Sequence, residues 1–379
     1  MTARRRVTFV LLRGTGQGGI ARTVINLANH LVESYDVHLI SVVRKRDEPV
    51  FPLDPRITVR HLIDLRPGSA DRDPGLEEPS SLVPVDSYLS AAGDRRVVDA
   101  LATVPPDSVV ISSRPSLNLI AAEHAPPGVV TIGQEHLNLQ VRSAEPATHD
   151  LAERMVRALD VLVTLTEGDA DDYRRLAGNA DTVITAIPNA LSWPIEEPAL
   201  LADKVIVAAG RLSEQKAFHR LIDAYAPVAP KRPDWQLHIY GTGEHRRQLR
   251  QQIRDHRIGA QVKLRGYTQD MPAALRQASG YAMTSVHEGF PMVLLEAMAT
   301  GLPMIAYDCP SGPADLIDHG RNGWLIPDGD AAAYTAALFD LIDDADRRVR
   351  MGRAAWEDAH AYQMPHIIQR WRSLLDSVA

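Results

Sequence analysis

Two hydrophobic periods alternate along this chain. Short apolar runs of strand length, at residues 7–12 and 37–43, are separated by a stretch in which Ile20, Val24, Leu27, Ala28 and Leu31 recur at helical spacing. Consecutive apolar positions suit strands buried on both faces, and apolar positions three or four apart suit the helices that cover them. Together they predict a βαβ unit. Further strands are predicted at residues 108–111, 129–132, 161–165 and 182–187. Residues 66–87 are dense in Pro, Gly, Ser and Asp without a period, and read as a long, mobile surface loop.

Residues 188–194 are rich in turn formers, and an acidic, proline-bearing connector follows to residue 203, which marks a boundary between domains. A second series then runs through strands at 205–209, 236–240, 262–264, 281–285 and 304–307, with helices starting near Phe218, Glu244, Met271, Met292 and Pro313. The predicted class is α/β, with two doubly wound, Rossmann-like domains over residues 1–190 and 204–360. A closing amphipathic helix within 365–379 carries Ile368, Trp371 and Leu375 on one face and is available to pack back on the N-terminal domain. A length of 379 residues suits two domains of ordinary size.

Composition narrows the function classes. With 45% hydrophobic and 23% charged residues the chain can bury cores, and its net charge of -7 argues against a broad nucleic-acid surface. A single cysteine excludes a disulfide framework and a multi-cysteine zinc site. No apolar run approaches the roughly 18 residues of a membrane span. The expected location is the cytoplasm; Arg4, Arg5 and Arg6 read as a solvated terminus, with peripheral contact to anionic headgroups at the inner face of the membrane as the alternative.

The chemistry concentrates in three places. Gly14-Thr15-Gly16-Gln17-Gly18-Gly19 follows the first strand and opens the first helix, a context in which backbone amides accept a diphosphate. Arg44, Lys45 and Arg46 end the second strand, so an NADP-dependent oxidoreductase is one reading of that loop. Arg211 ends the first strand of the second domain, and Lys216 follows in the loop, two cations able to neutralise a diphosphate. The third is the segment His287-Glu288-Gly289-Phe290-Pro291-Met292-Val293-Leu294-Leu295-Glu296. Here Glu288 precedes a helix and Glu296 lies more than a turn inside it, while the amides of residues 292–294 face any phosphate at the helix start. A glutamate inside an apolar helix needs hydrogen-bond partners. Sugar hydroxyls would serve, and so would helix capping or pairing with Arg211 or Lys216. Thr166 with Asp169 reads as a helix cap, and Cys309 as an incidental thiol.

Taken together these motifs resemble the family 4 retaining glycosyltransferases of the GT-B fold. The likeness runs through Gly18-Gly19-Ile20-Ala21-Arg22, Ala209-Gly210-Arg211-Leu212 with Lys216, Tyr240-Gly241-Thr242-Gly243, Arg265-Gly266-Tyr267, and Glu288 to Glu296 with seven residues between them. The resemblance implies two Rossmann-like domains facing a central cleft. It implies that Arg211 and Lys216 bind the donor diphosphate, that Glu288, with Gly289, Phe290, Pro291, Met292, Val293 and Leu294, meets the donor sugar and phosphate, and that Glu296 meets the ribose. Gly18 and Gly19 would approach the phosphate, Tyr267 would border the base, and His136 would orient the sugar.

The implied reaction moves a hexose or N-acetylhexosamine from a nucleotide diphosphate sugar, UDP first among them, to a hydroxyl on a sugar, polymer or lipid-linked acceptor in surface polysaccharide, wall polymer or glycoconjugate synthesis. It needs no cofactor beyond the co-substrate and no metal. Residues 66–87 would contribute to acceptor docking. A catalytically silent sugar-nucleotide-binding protein is the remaining alternative. One departure from the family pattern stands at Gly289-Phe290-Pro291-Met292, where a second glycine is usual, and implies a stiffer turn.

Overall fold

The computed structural model describes residues 4–16, 18–69 and 71–378. The chain divides into two compact units, Met1–Ser192 with Met364–Ala379, and Trp193–Gln363.

The first unit runs through β1 (Arg6–Leu11), α1 (Gly19–Leu31), β2 (Asp36–Arg44), β3 (Thr58–Asp64), α2 (Ala91–Leu101), β4 (Val109–Ser113), α3 (Pro115–His124) and β5 (Val130–Gln134). It continues through α4 (Leu139–Arg142), α5 (Pro146–Ala158), β6 (Val161–Thr164), α6 (Glu167–Ala177) and β7 (Val183–Ala186). All seven strands are parallel, in the order β3-β2-β1-β4-β5-β6-β7. Successive strand residues serve opposite faces. Val7, Phe9 and Leu11 enter one core, while Val10 joins Ile40, Val42 and Val110 in the other. A sheet covered on both faces needs such continuous apolar runs.

The second unit comprises β8 (Val205–Ala209), α7 (Phe218–Tyr225), β9 (Gln236–Tyr240), α8 (Arg246–Asp255), β10 (Val262–Gly266), α9 (Met271–Arg276) and β11 (Gly280–Met283). Then come α10 (Met292–Ala299), β12 (Met304–Asp308), α11 (Pro313–Leu316), β13 (Gly323–Pro327), α12 (Ala331–Asp343) and α13 (Ala345–Ala359). Its parallel sheet has the order β10-β9-β8-β11-β12-β13. In each unit the chain starts at a central strand, winds to one edge, and returns to build outward on the other side. The reversal falls between β1 and β4 in one sheet and between β8 and β11 in the other. Ligands of doubly wound sheets bind at the carboxyl ends of the strands flanking that reversal.

The last helix, α14 (Met364–Ser377), belongs to the first unit, where Ile367, Ile368, Trp371 and Leu375 are buried in the core containing Val7 and Phe9. Arg5 ties the ends of that unit together, donating to the carbonyls of Leu375 at 2.8 Å and Val378 at 3.0 Å. Arg4 donates to Val32 and Arg6 pairs with Asp36, so all three arginines make contacts within the fold. Among the described residues no helix is long and apolar enough to cross a membrane.

The region read as a mobile loop is tied down. Asp94, on α2, accepts from Ser80 Oγ at 2.8 Å, Ser81 N at 2.7 Å and Leu82 N at 3.1 Å. Asp71 pairs with Arg96, Asp73 pairs with Arg95, and Pro79 bridges Ser90. Asp71 and Asp73 within it and Asp94 beyond it are the fasteners, which its polar composition disguised.

Candidate active site

In the second unit the loops after β8, β9, β11 and β12 are fastened to one another. The amides of Gly210 and Leu212 donate to the carbonyls of Tyr240 and Thr242 at 3.0 and 2.9 Å. This approach is feasible because residue 241 is glycine: at φ +136°, a Cβ there would stand 1.8 Å from the Gly210 oxygen. The β8 loop is also pinned to the β11 loop. Val286 N donates to Gln215 O at 2.8 Å, Gln215 Nε2 donates to His287 O at 3.0 Å, and Thr284 Oγ1 donates to the carbonyls of Lys216 and Ala217. The outcome is an ion pair: Lys216 Nζ lies 2.5 Å from Glu288 Oε1. Below it, Glu288 N donates to Pro310 O at 2.8 Å and Ser311 N to Glu288 O at 3.2 Å.

Glu288 and Glu296 are 6% and 3% exposed, and the charges of both add to burial in raising the phenol of Tyr281, whose hydroxyl meets Ala209 O. Both carboxylates thus lie near enough to Tyr281 for their charges to act on its phenol. Phe290 is buried against Tyr362, and Pro291 caps α10 without a side-chain bond. Of the amides of residues 292–294 expected at the helix mouth, one is already taken. Leu294 N donates to Pro291 O at 2.9 Å because the first turn is tight, which leaves Met292 N and Val293 N as the open donors among the described residues. Arg211 is exposed at the head of the β8 loop, Gly289 is half-buried, and Tyr267 is 75% exposed beyond Gly266. Three buried polar atoms here have no partner among the described residues: Ser285 Oγ, His287 Nδ1 and Ser311 Oγ. They sit past the ends of β11 and β12; His287 opens the motif that carries Glu288, while sequence alone gives the two serines no role.

The carboxyl edge of the first sheet has its own arrangement. Gly14 N donates to Ser41 Oγ at 2.9 Å, and Gly18 caps α1 in an extended conformation. Gly18 and Gly19 are exposed, and a Cβ on either would meet nothing within 4 Å. Gln17, the fourth residue of that glycine-rich loop, lies outside the described residues. Arg44, the first cation of the NADP reading, donates to the carbonyls of Arg46 and Asp47 in its own turn.

His136 follows β5 on a loop organised by Glu135, whose Oε1 accepts from His136 N at 2.9 Å, Leu137 N at 3.2 Å and Arg142 Nη2 at 2.8 Å. Tyr173 donates to Oε2 at 3.3 Å. The residue His136 is half-buried, but its Nε2 is shut from solvent without a partner. Burial lowers its pKa to about 4, against the opposing charge of Glu135. The ring is thus neutral at ordinary pH. Ser113 Oγ and Gln134 Oε1, opposite each other on β4 and β5, are also buried without a partner. Thr166 caps α6 as expected, accepting from Asp169 N at 3.2 Å. The Asp169 carboxylate does not complete a capping box but takes Leu139 N at 2.7 Å. Cys309 is buried and its thiol is pushed up to about 12 by that burial and by Glu288, which keeps it unreactive. No cluster of three His, Cys, Asp or Glu suited to a metal ion occurs among the described residues.

Two parallel Rossmann-like sheets in one chain, with a cation and carboxylate pair at the reversal point of the second, fit the glycosyltransferase class. Sequence profiles agree: residues 18–190 match a glycosyl transferase 4-like domain and residues 194–358 match glycosyl transferases group 1. The chain belongs to this glycosyltransferase family and is an enzyme of that class. It is 33% identical over 384 residues to an exopolysaccharide phosphotransferase of Streptomyces coelicolor, covering 97% of this chain but only 40% of that protein. It is 26% identical over 373 residues to an uncharacterized glycosyltransferase of Haemophilus influenzae, covering 98% of this chain and all of the other. Among solved structures it resembles S. aureus TarM in complex with Fondaparinux, alpha-GlcNAc-glycerol and UDP, with a TM-score of 0.77 at 14% identity over 98% of this chain and 99% of that one. That likeness shows the fold.

Proposed function

We propose that this enzyme transfers a hexose or N-acetylhexosamine from a UDP-sugar to a hydroxyl of a polysaccharide or wall-polymer acceptor, with retention of anomeric configuration. The observation that carries the reading is the Lys216 and Glu288 pair at the mouth of α10, where a cation, a carboxylate and the open amides of Met292 and Val293 share one strand-end site. UDP in the TarM complex and the exopolysaccharide named for the Streptomyces relative support donor and acceptor class.

In this reading Arg211 and Lys216 hold the diphosphate and stabilise the charge that builds on it as the bond from the anomeric carbon to the phosphate oxygen breaks. Glu288 accepts hydrogen bonds from sugar hydroxyls and Glu296 from the ribose. Tyr267 borders the base, and Gly18 and Gly19 admit the phosphate to the start of α1. The neutral His136 offers a ring nitrogen to the sugar. The acceptor oxygen bonds to the anomeric carbon on the face the diphosphate leaves, and its proton passes to the departing phosphate oxygen. No carboxylate nucleophile and no metal take part.

The test is turnover. Purified protein given UDP-sugars and oligosaccharide acceptors should release UDP and form an α-linked product from an α-linked donor, with activity unchanged by a chelator. Inversion of the linkage, or loss of activity with the chelator, would sink the mechanism.

A further inference from the structure

Seven cations crowd residues 246–265 of a chain whose net charge is -7: Arg246, Arg247, Arg250, Arg254, Arg257, Lys263 and Arg265, with Asp255 the lone acidic residue in that span. Arg246, Arg250 and Arg254 follow one another at i, i+4 and i+8 on α8, an arrangement that weakens an isolated helix through like-charge repulsion. Among the described residues none of the seven is in an ion pair, although Arg220, Arg232, Arg276 and Arg321 of the same unit each bridge a carboxylate. Lysine or arginine on an edge strand guards against edge-to-edge pairing, and β10 is an edge. That accounts for Lys263 and Arg265. It leaves the helix stripe unexplained.

The two sets meet in space. Arg250 and Arg254 from α8 and Lys263 and Arg265 from β10 line one groove of about 690 Å³, with Tyr240 and the exposed Tyr267, and no carboxylate lies in its lining. The local field is felt by His238 on β9, whose pKa is lowered first by burial and then by Arg265 and Lys263. Arg246 returns one bond of 3.4 Å to Leu264 O and Arg254 one to Gln251 of its own helix, which does not offset a stripe of like charge, and such a local cost marks a functional surface. The groove has room for far more than one phosphate, as a chain of phosphates requires.

We propose that this groove binds a polyanionic chain, a polymer bearing regularly spaced phosphates, through Arg250, Arg254, Lys263 and Arg265, apart from the Lys216 and Glu288 pair and sharing Tyr267 with the base edge of the donor site. That the chain is the acceptor polymer rests on the function proposed above; the binding itself does not.

Fluorescence anisotropy of the full-length protein with labelled short-chain inorganic polyphosphate tests this, with UDP titrated in parallel. Four contacts predict that log affinity falls against log salt with a slope of about -3. Arg250→Glu combined with Arg254→Glu should weaken polyphosphate about 30-fold or more and roughly halve that slope. Lys231→Glu combined with Arg350→Glu makes the same change in net charge elsewhere and should cost less than about threefold. Equal losses in both double variants, no polyphosphate binding by the native protein, or binding to phosphatidylglycerol vesicles but not to polyphosphate would each overturn the proposal. Absence of UDP binding would instead count against the transferase reading and leave the groove untouched.

Discussion

Lys216 and Glu288 are 72 residues apart in sequence, yet Nζ and Oε1 lie 2.5 Å apart because the loops after β8 and β11 are hydrogen-bonded to each other. The ammonium has three donors, so it can hold Glu288 and still meet a diphosphate oxygen. Lys216→Ala should lower kcat by about 10² to 10³, the usual loss when one preorganised charge partner is removed. Because the two side chains act together, Glu288→Ala in that background should cost much less than it does alone. Kinetics of both single variants and the double one check this, and simple multiplication of the two losses would show that they act separately.

Glu135 is a positioning residue for His136. Its one carboxylate gathers two loop amides, the Arg142 guanidinium and the Tyr173 hydroxyl, and it is 1% exposed. Glu135→Gln keeps the shape and leaves Arg142 without its counter-charge, at a cost of about 3 kcal/mol in the first unit. Amide exchange should accelerate in β5 and α6 while β8 and β9 hold their protection. Uniform acceleration across both sheets would contradict a local role.

What the sequence made legible follows from burial. Strands covered on both faces, such as β1 and β8, announce themselves as apolar runs, and β8 and β9 match their expected bounds. The edge strand β3 was missed because its Thr58, Val59 and Arg60 face solvent. The region at residues 66–87 looked mobile because composition cannot reveal that Asp94 and Arg96, further on, hold it. Motifs likewise identified Arg211, Lys216, Glu288 and Glu296 singly, while the Lys216 to Glu288 pairing stood only as one alternative. Ser113 and Ser285 stand in no motif, and Gln134 and Ser311 stand beside His136 and Cys309 without a role of their own. Their position at strand ends, with buried atoms lacking partners, is a property of the fold alone.

Two buried groups of the first unit give opposite pH dependences. His136, lowered to about 4, stays neutral when folded but charges when unfolded, so its contribution is complete above pH 6.5 and is lost as pH falls toward 4. Asp169, raised to about 7 by burial with the Glu135 charge adding to it, prefers its proton when folded. Its contribution is complete below about 3.8 and is lost as pH rises through 7. The two nearly cancel in the native protein. Asp169→Asn removes the second and can still accept from Leu139 N, so it should stabilise the first unit by about 2 kcal/mol more at pH 8 than at pH 5. Urea unfolding at the two pH values decides, and an equal effect at both would refute the raised carboxyl.

Glycines of two kinds separate folding from function. At Gly241 a Cβ would overlap the Gly210 oxygen, so Gly241→Ala must part the loops after β8 and β9 and should cost about 3 kcal/mol or more, with UDP binding lost alongside. At Gly19 a Cβ meets open space in the first turn of α1, so Gly19→Ala should fold at least as well, gaining up to about 1 kcal/mol from the better helix former. If the donor phosphate closes on that turn, the same methyl obstructs it, and transfer should fall about tenfold or more while stability holds. Thermal melts and initial rates measured on both variants give four outcomes. A Gly19→Ala enzyme with native turnover would remove the glycine-rich loop from the site and leave its open face without a role in donor binding.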